Sequence, residues 1–116
     1  MKFLMTYEQT RQSPPTPEKM AQLGAFTHEM MKSGTLVMTG GLVRPTKGTK
    51  VKLAAGDFSV TDGPYAETKE LIDGFALIEV KSKEEAIDVA RRFMAIAGDG
   101  QGEILQVFDP GGAPPR

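Results

Sequence analysis

The chain contains no cysteine and a single histidine, His28. The first absence removes disulfides, thiolate metal ligands and cysteine nucleophiles together. The second leaves carboxylates as the remaining metal ligands, and no spacing among them suits a zinc site. No metal and no other cofactor is expected. No apolar run approaches the roughly 18 residues that a membrane helix needs. Met1–Tyr7 is too short and turns polar too soon for a secretory signal. An excess of one charge is missing too, since 14 Lys and Arg face 15 Asp and Glu for a net charge of -1. The basic side chains are scattered, whereas a nucleic-acid binder carries a basic face. These absences predict a cytoplasmic protein with neither a membrane nor a nucleic-acid partner. Gly40-Gly41 and Gly98-Asp99-Gly100-Gln101-Gly102 fit no dinucleotide or Walker pattern and read as turn and cap geometry.

What is present fits one domain of 116 residues, long enough to bury roughly two thirds of its unfolded surface without staples. Residues 2–8 alternate around Phe3, Met5 and Tyr7, as a strand does. Pro14, Pro15 and Pro17 mark a loop, and Thr16-Pro17 opens a helix, because proline at the first helical position loses only an orphan N–H. Leu23, Phe26, Thr27, Met30 and Met31 then form an apolar stripe that ends at Gly34. Leu36–Thr39 reads as a short strand broken by Gly40-Gly41. Thr49–Ala54 and Phe58–Thr61 read as a weakly alternating hairpin, which places it at a sheet edge. Gly74–Val80 is the most apolar strand, and Ser82 with Glu85 forms a capping box. The next helix aligns Ala86, Val89, Ala90, Phe93 and Ala97. Gly98–Gly102 reads as a flexible connection, Glu103–Phe108 as the last strand, and residues 109–116 as a flexible tail. Met5, Met20, Met30, Met31 and Met38 are expected to fill the core as adaptable apolar side chains.

Strand–helix–strand, an inserted hairpin, then strand–helix–strand predicts an α+β fold: a ferredoxin-like split βαβ sheet with two helices on one face. The domain spans residues 1–108. Phe75-Ala76-Leu77-Ile78-Glu79-Val80 is largely apolar on both faces, and Ile104, Leu105, Val107 and Phe108 repeat the pattern. Helices cover one face, so something else must cover the other. A second copy does so most simply, which predicts a homodimer closing into a dimeric α+β barrel. The alternative cover is a ligand cavity on that face of a monomer.

Chemistry concentrates in Asp62-Gly63-Pro64-Tyr65-Ala66-Glu67-Thr68-Lys69-Glu70, with three carboxylates, a phenol and a lysine in nine residues. A turn at Asp62-Gly63-Pro64 would hold the Asp62 carboxylate rigid, as a general base requires. It would equally make Asp62 a turn initiator, with Glu67 as surface charge. The nonapeptide resembles the signature of the DGPF branch of the YCII-related domain family, with Tyr65 where that signature has phenylalanine. Gly40-Gly41-Leu42, Gly74-Phe75 and Glu84-Glu85-Ala86 match the same family, so the resemblance runs from Met1 to about Phe108.

The resemblance implies a ferredoxin-like fold that forms a dimeric α+β barrel. It implies little about activity. Genes of the branch often neighbour those of extracytoplasmic-function sigma factors. In the wider family a helical histidine and an aspartate are proposed as an acid–base pair, and one enzymatic branch removes chloride from a chlorinated hydroquinone. Here the pair would be His28 and Asp62. At about 100° per residue, His28 lies roughly 130° from the centre of the apolar stripe, towards solvent.

Tyr7, Gly63, Pro64, Tyr65, Glu67 and Arg44 complete the candidate ligand contacts. Three functions are compatible with this set: a small-molecule binding or regulatory module, a proton-transfer or elimination enzyme using Asp62, and a protein-interaction dimer without a ligand.

Overall fold

The computed structural model describes residues 1–10, 15–43, 48–62 and 73–112. Its elements are β1 (Lys2–Gln9), α1 (Pro17–Lys32), β2 (Leu36–Gly41), β3 (Thr49–Ala54), β4 (Asp57–Asp62), β5 (Gly74–Glu79), α2 (Lys83–Ala97), β6 (Gly100–Gln101) and β7 (Ile104–Val107). Both helices begin where local chemistry starts them. Thr16 Oγ1 accepts the Lys19 N–H at 3.1 Å, with Pro17 at the first helical position. Ser82 Oγ accepts the Glu85 N–H at 3.1 Å. The Glu85 carboxylate reaches back to the Lys81 N–H at 3.2 Å, one residue beyond the partner a capping box implies. At the far end of α1, Ser33 caps the helix and Gly34 takes the left-handed conformation, with φ +80°.

The main sheet runs β2-β5-β1, with both β6 and β7 pairing the other edge of β1, and every pairing is antiparallel. This mixed α+β arrangement of two helices and antiparallel strands is compatible with the ferredoxin-like fold. Phe3 and Met5 of β1, Ile78 of β5 and Val80 just beyond it meet Ala86 and Val89 of α2 in the buried core. Ile78 is 1% exposed, and burial of such a side chain is worth about 1.5–3 kcal/mol. The helices are tied at the surface, where the Arg92 guanidinium contacts Glu29 at 3.4 Å and lies 5.2 Å from the centre of the Phe26 ring.

Several expectations are corrected. The hairpin is not an edge of the main sheet: β3 and β4 form a separate two-stranded sheet. Gly40 and Gly41 do not break β2 but continue it, opposite Phe75 and Gly74. A Cβ on Gly40 would stand 3.0 Å from the Phe75 ring, so close approach is the reason for a glycine there. The segment from Gly98 to Gly102 is not a loose connection either. Its Gly100 and Gln101 pair with Gln9 and Glu8.

Of the methionines expected inside, Met5 and Met30 are buried, whereas Met20, Met31 and Met38 are exposed. The two helical ones fall at the margins of the α1 stripe. A register shift between Leu36 and Met38 aligns Met38 with Leu77, on the face away from the helices.

Candidate functional site

Strand alternation sends Met5 and Tyr7 of β1 towards the helices, together with their β5 partners Ala76 and Gly74. From α1 come Leu23, Phe26, Thr27 and Met30, and from α2 come Val89, Ala90, Phe93 and Met94. These side chains do not close completely. Between sheet and helices lies a cavity of about 570 Å³, within the size range of small-molecule sites. Its wall is predominantly apolar. Its polar lining residues are Thr6, Tyr7, Thr27, Thr39, Asp73 and Glu103, and the two charged residues among the described lining are both acidic.

Tyr7 is held by two different contacts. Its ring meets Phe93 edge-on, with centroids 5.1 Å apart and planes at 88°. Its hydroxyl donates to the Gly98 carbonyl at 3.0 Å, with the Asp99 carbonyl 3.3 Å away. Burial raises the phenol pKa above its ordinary value, and the Asp73 and Asp99 carboxylates push it further in the same direction. Tyr7 is therefore a neutral hydrogen-bonding group at physiological pH.

Asp73 joins three strands at that end of the sheet. Its N–H donates to the Tyr7 carbonyl at 2.8 Å, and its carbonyl accepts the Leu42 N–H at 2.8 Å. Its carboxylate accepts the Gln9 N–H at 2.6 Å. The Gly98–Gly102 segment is stitched to β1 just beyond, through Thr10 N–H to the Asp99 carbonyl at 3.0 Å and Thr6 N–H to the Glu103 carbonyl at 2.9 Å. Backbone bonding thus fixes the part of the cavity lining around Tyr7 and Asp73.

The candidates from sequence fall in separate places. Tyr7 lines the cavity. Asp62 is the last residue of β4, exposed, and its carboxylate accepts the Thr49 hydroxyl at 2.9 Å across the hairpin. His28 is exposed on α1, and its side chain makes no hydrogen bond or ion pair among the described residues. No hydrogen bond joins His28 to Asp62. Gly63, Pro64, Tyr65, Glu67 and Arg44 lie outside the described residues. No group of three or more metal-ligating side chains occurs among the described residues. Among those same residues, no helix is long and apolar enough to cross a membrane.

The sequence matches the YCII-related domain over residues 1–109. The chain belongs to the YCII-related domain family. One relative is an uncharacterised protein of Rhizobium meliloti (strain 1021), R00369, 37% identical over 98 residues. The shared stretch is 82% of this chain and 79% of the relative. This YCII-related domain also carries site residues that sequence reasoning missed, namely Asp73, Thr39 and Glu103. The one local hint was an aspartate directly before the Gly74-Phe75 strand start. Nothing nearby in the sequence marks Gln9 or Leu42 as its partners.

Proposed function

We propose that this YCII-related domain is a small-molecule binding protein, regulatory rather than catalytic, whose ligand occupies the space between the sheet and the two helices. The observation that carries the reading is the cavity of about 570 Å³ with Tyr7, Asp73 and Glu103 among its lining. An apolar wall with a few polar groups suits a compact, largely apolar ligand with a hydrogen-bonding end. The acidic lining favours a neutral or cationic end over a carboxylate or phosphate. A second copy covering the outer face of the sheet completes the proposal. In register across that face stand Met38, Leu77, Leu4 and Leu105, one from each of four strands.

A screen of small aromatic and aliphatic amines and alcohols, followed by amide spectra of the labelled protein, tests the reading. Binders should shift residues around Phe26, Phe93 and Ile104. Ala90→Leu, which puts added bulk into the cavity, should abolish those shifts while the protein still melts cooperatively. Binding that ignores Ala90→Leu would place the ligand elsewhere.

The proton-transfer reading, with Asp62 as base and His28 as partner, is a separate proposal. Its support is the family resemblance around Asp62 and the exposed position of that carboxylate.

A further inference from the structure

The β3–β4 hairpin is an unusual object within one chain. Thr49↔Asp62 through Ala54↔Asp57 pair in unbroken register, so Val51 stands opposite Val60 and Leu53 opposite Phe58 on one face. The other face carries Lys50, Lys52, Ser59 and Thr61. The apolar face is bare, with Val51 61%, Leu53 71%, Phe58 67% and Val60 57% exposed. Among the described residues these strands pair only with each other. A lone two-stranded hairpin is marginal in water, and one that displays two stacked apolar pairs invites a cover.

We infer that the β3–β4 hairpin is an arm that packs its Val51–Leu53–Phe58–Val60 face onto the outer sheet face of a second copy of this chain. The second copy is favoured because the same chain carries the matching surface. The row Met38–Leu77–Leu4–Leu105 crosses the main sheet on the face that the helices leave uncovered, and Met38 and Leu105 are about half exposed. Each chain therefore has one bare apolar arm and one bare apolar strand face. A two-fold axis pairs arm with face twice, and both deficits close in equal stoichiometry. A foreign partner on either surface would leave the other uncovered.

The arm also has a functional address. It leaves the main sheet after Gly41 and its connection returns at Asp73, and both residues line the cavity. Docking of the arm on a neighbour would anchor the chain on both sides of that lining. The inference rests on the homodimer proposed above and adds the contact that holds it.

Light scattering and sedimentation of the full chain, with two paired-site variants, test it. The wild type should be a dimer. Leu53→Asp with Phe58→Asp should weaken dimerisation by at least about 100-fold, because two apolar anchors become charges. Lys52→Glu with Ser59→Asp, on the opposite face of the same hairpin, should leave the dissociation constant within about threefold, as expected outside an interface core. Should the first variant fail to fold by circular dichroism, Leu105→Asp on the receiving face should produce the same loss with the arm intact. In a mixed sample of labelled and unlabelled wild-type chains, magnetisation should pass from the Phe58 ring to the methyl groups of Leu105 or Leu77 in the other copy. A monomeric wild type overturns the dimer and the arm together. A wild-type dimer that keeps its affinity in the arm variant, or shows no such transfer, overturns the arm alone.

Discussion

The Asp73 carboxylate holds the Gln9 backbone N–H at 2.6 Å, across 64 positions of sequence. Asp73 also bonds the Tyr7 carbonyl and the Leu42 N–H through its own backbone. One residue directly before β5 thereby fastens the ends of β1 and β2, β1 through its carboxylate and backbone N–H and β2 through its backbone carbonyl. Asp73→Ala leaves the part-buried Gln9 N–H without its charged acceptor, at a cost of about 1–3 kcal/mol. For a domain of this size that lowers the melting temperature by about 4 °C per kcal/mol. Asp73→Asn keeps an acceptor oxygen and should lose less than half as much. Paired thermal melts check this. Equal losses would mean that the hydrogen bond contributes little.

The Tyr7 phenol predicts an alkaline limit. Its folded-state pKa is raised, by burial first and then by Asp73 and Asp99, so the native state holds the proton more tightly than the unfolded chain. The linked stability is fully present below the unfolded value, about pH 10, and is lost as pH rises through the higher folded value. Tyr7→Phe removes that linkage along with the bonds to the Gly98 and Asp99 carbonyls. Denaturant unfolding across the alkaline range should show stability falling in the wild type, with a shallower fall in Tyr7→Phe. Parallel curves would exclude Tyr7 as the group responsible.

Two glycines should respond in opposite directions to the same methyl group. A Cβ on Gly102 would collide with the Thr6 carbonyl, which is backbone and cannot swing aside. Gly102→Ala should destabilise by about 1–3 kcal/mol and detach β6 from β1. Nothing lies within 4 Å of a Cβ on Gly24, an exposed helical position of α1. Gly24→Ala should therefore stabilise by about 0.5–1 kcal/mol. Chemical denaturation of the two variants tests the contrast, and similar signs in both would refute it.

Asp62→Asn separates a structural carboxylate from a reactive one. The amide oxygen can still accept the Thr49 hydroxyl, and the position is exposed, so stability should stay within about 0.5 kcal/mol. Ligand binding in the cavity should also be unchanged. If binding is the function, a substrate screen should find no turnover that depends on Asp62. Loss of turnover with folding intact would assign Asp62 the role of base.

Much of the architecture is readable locally. Thr16-Pro17 and Ser82 with Glu85 start their helices through bonds spanning three or four residues, and a local sequence encodes such bonds completely. Alternation around Phe3 and Met5 and the order of elements lead on to an antiparallel sheet with helices on one face. The exposed place of His28 follows from helical periodicity in the same way.

The alternation of Val51, Leu53, Phe58 and Val60 is weak in the sequence, which predicts a sheet edge for the hairpin. Periodicity identifies an apolar face and says nothing about which surface meets it. That β3 and β4 stand apart from the main sheet depends on pairings beyond the hairpin. The site shows the same division. Tyr7 could be proposed from its place at the end of a strand. Its partners Phe93, Gly98 and Asp73 come from 66 to 91 positions away and meet it only when β1, β5 and α2 pack. From the sequence alone came a small α+β domain and its likeness to the YCII-related domain family. The cavity, the Asp73 latch and the bare arm were decided by tertiary packing, because each depends on distances between segments that no local pattern encodes.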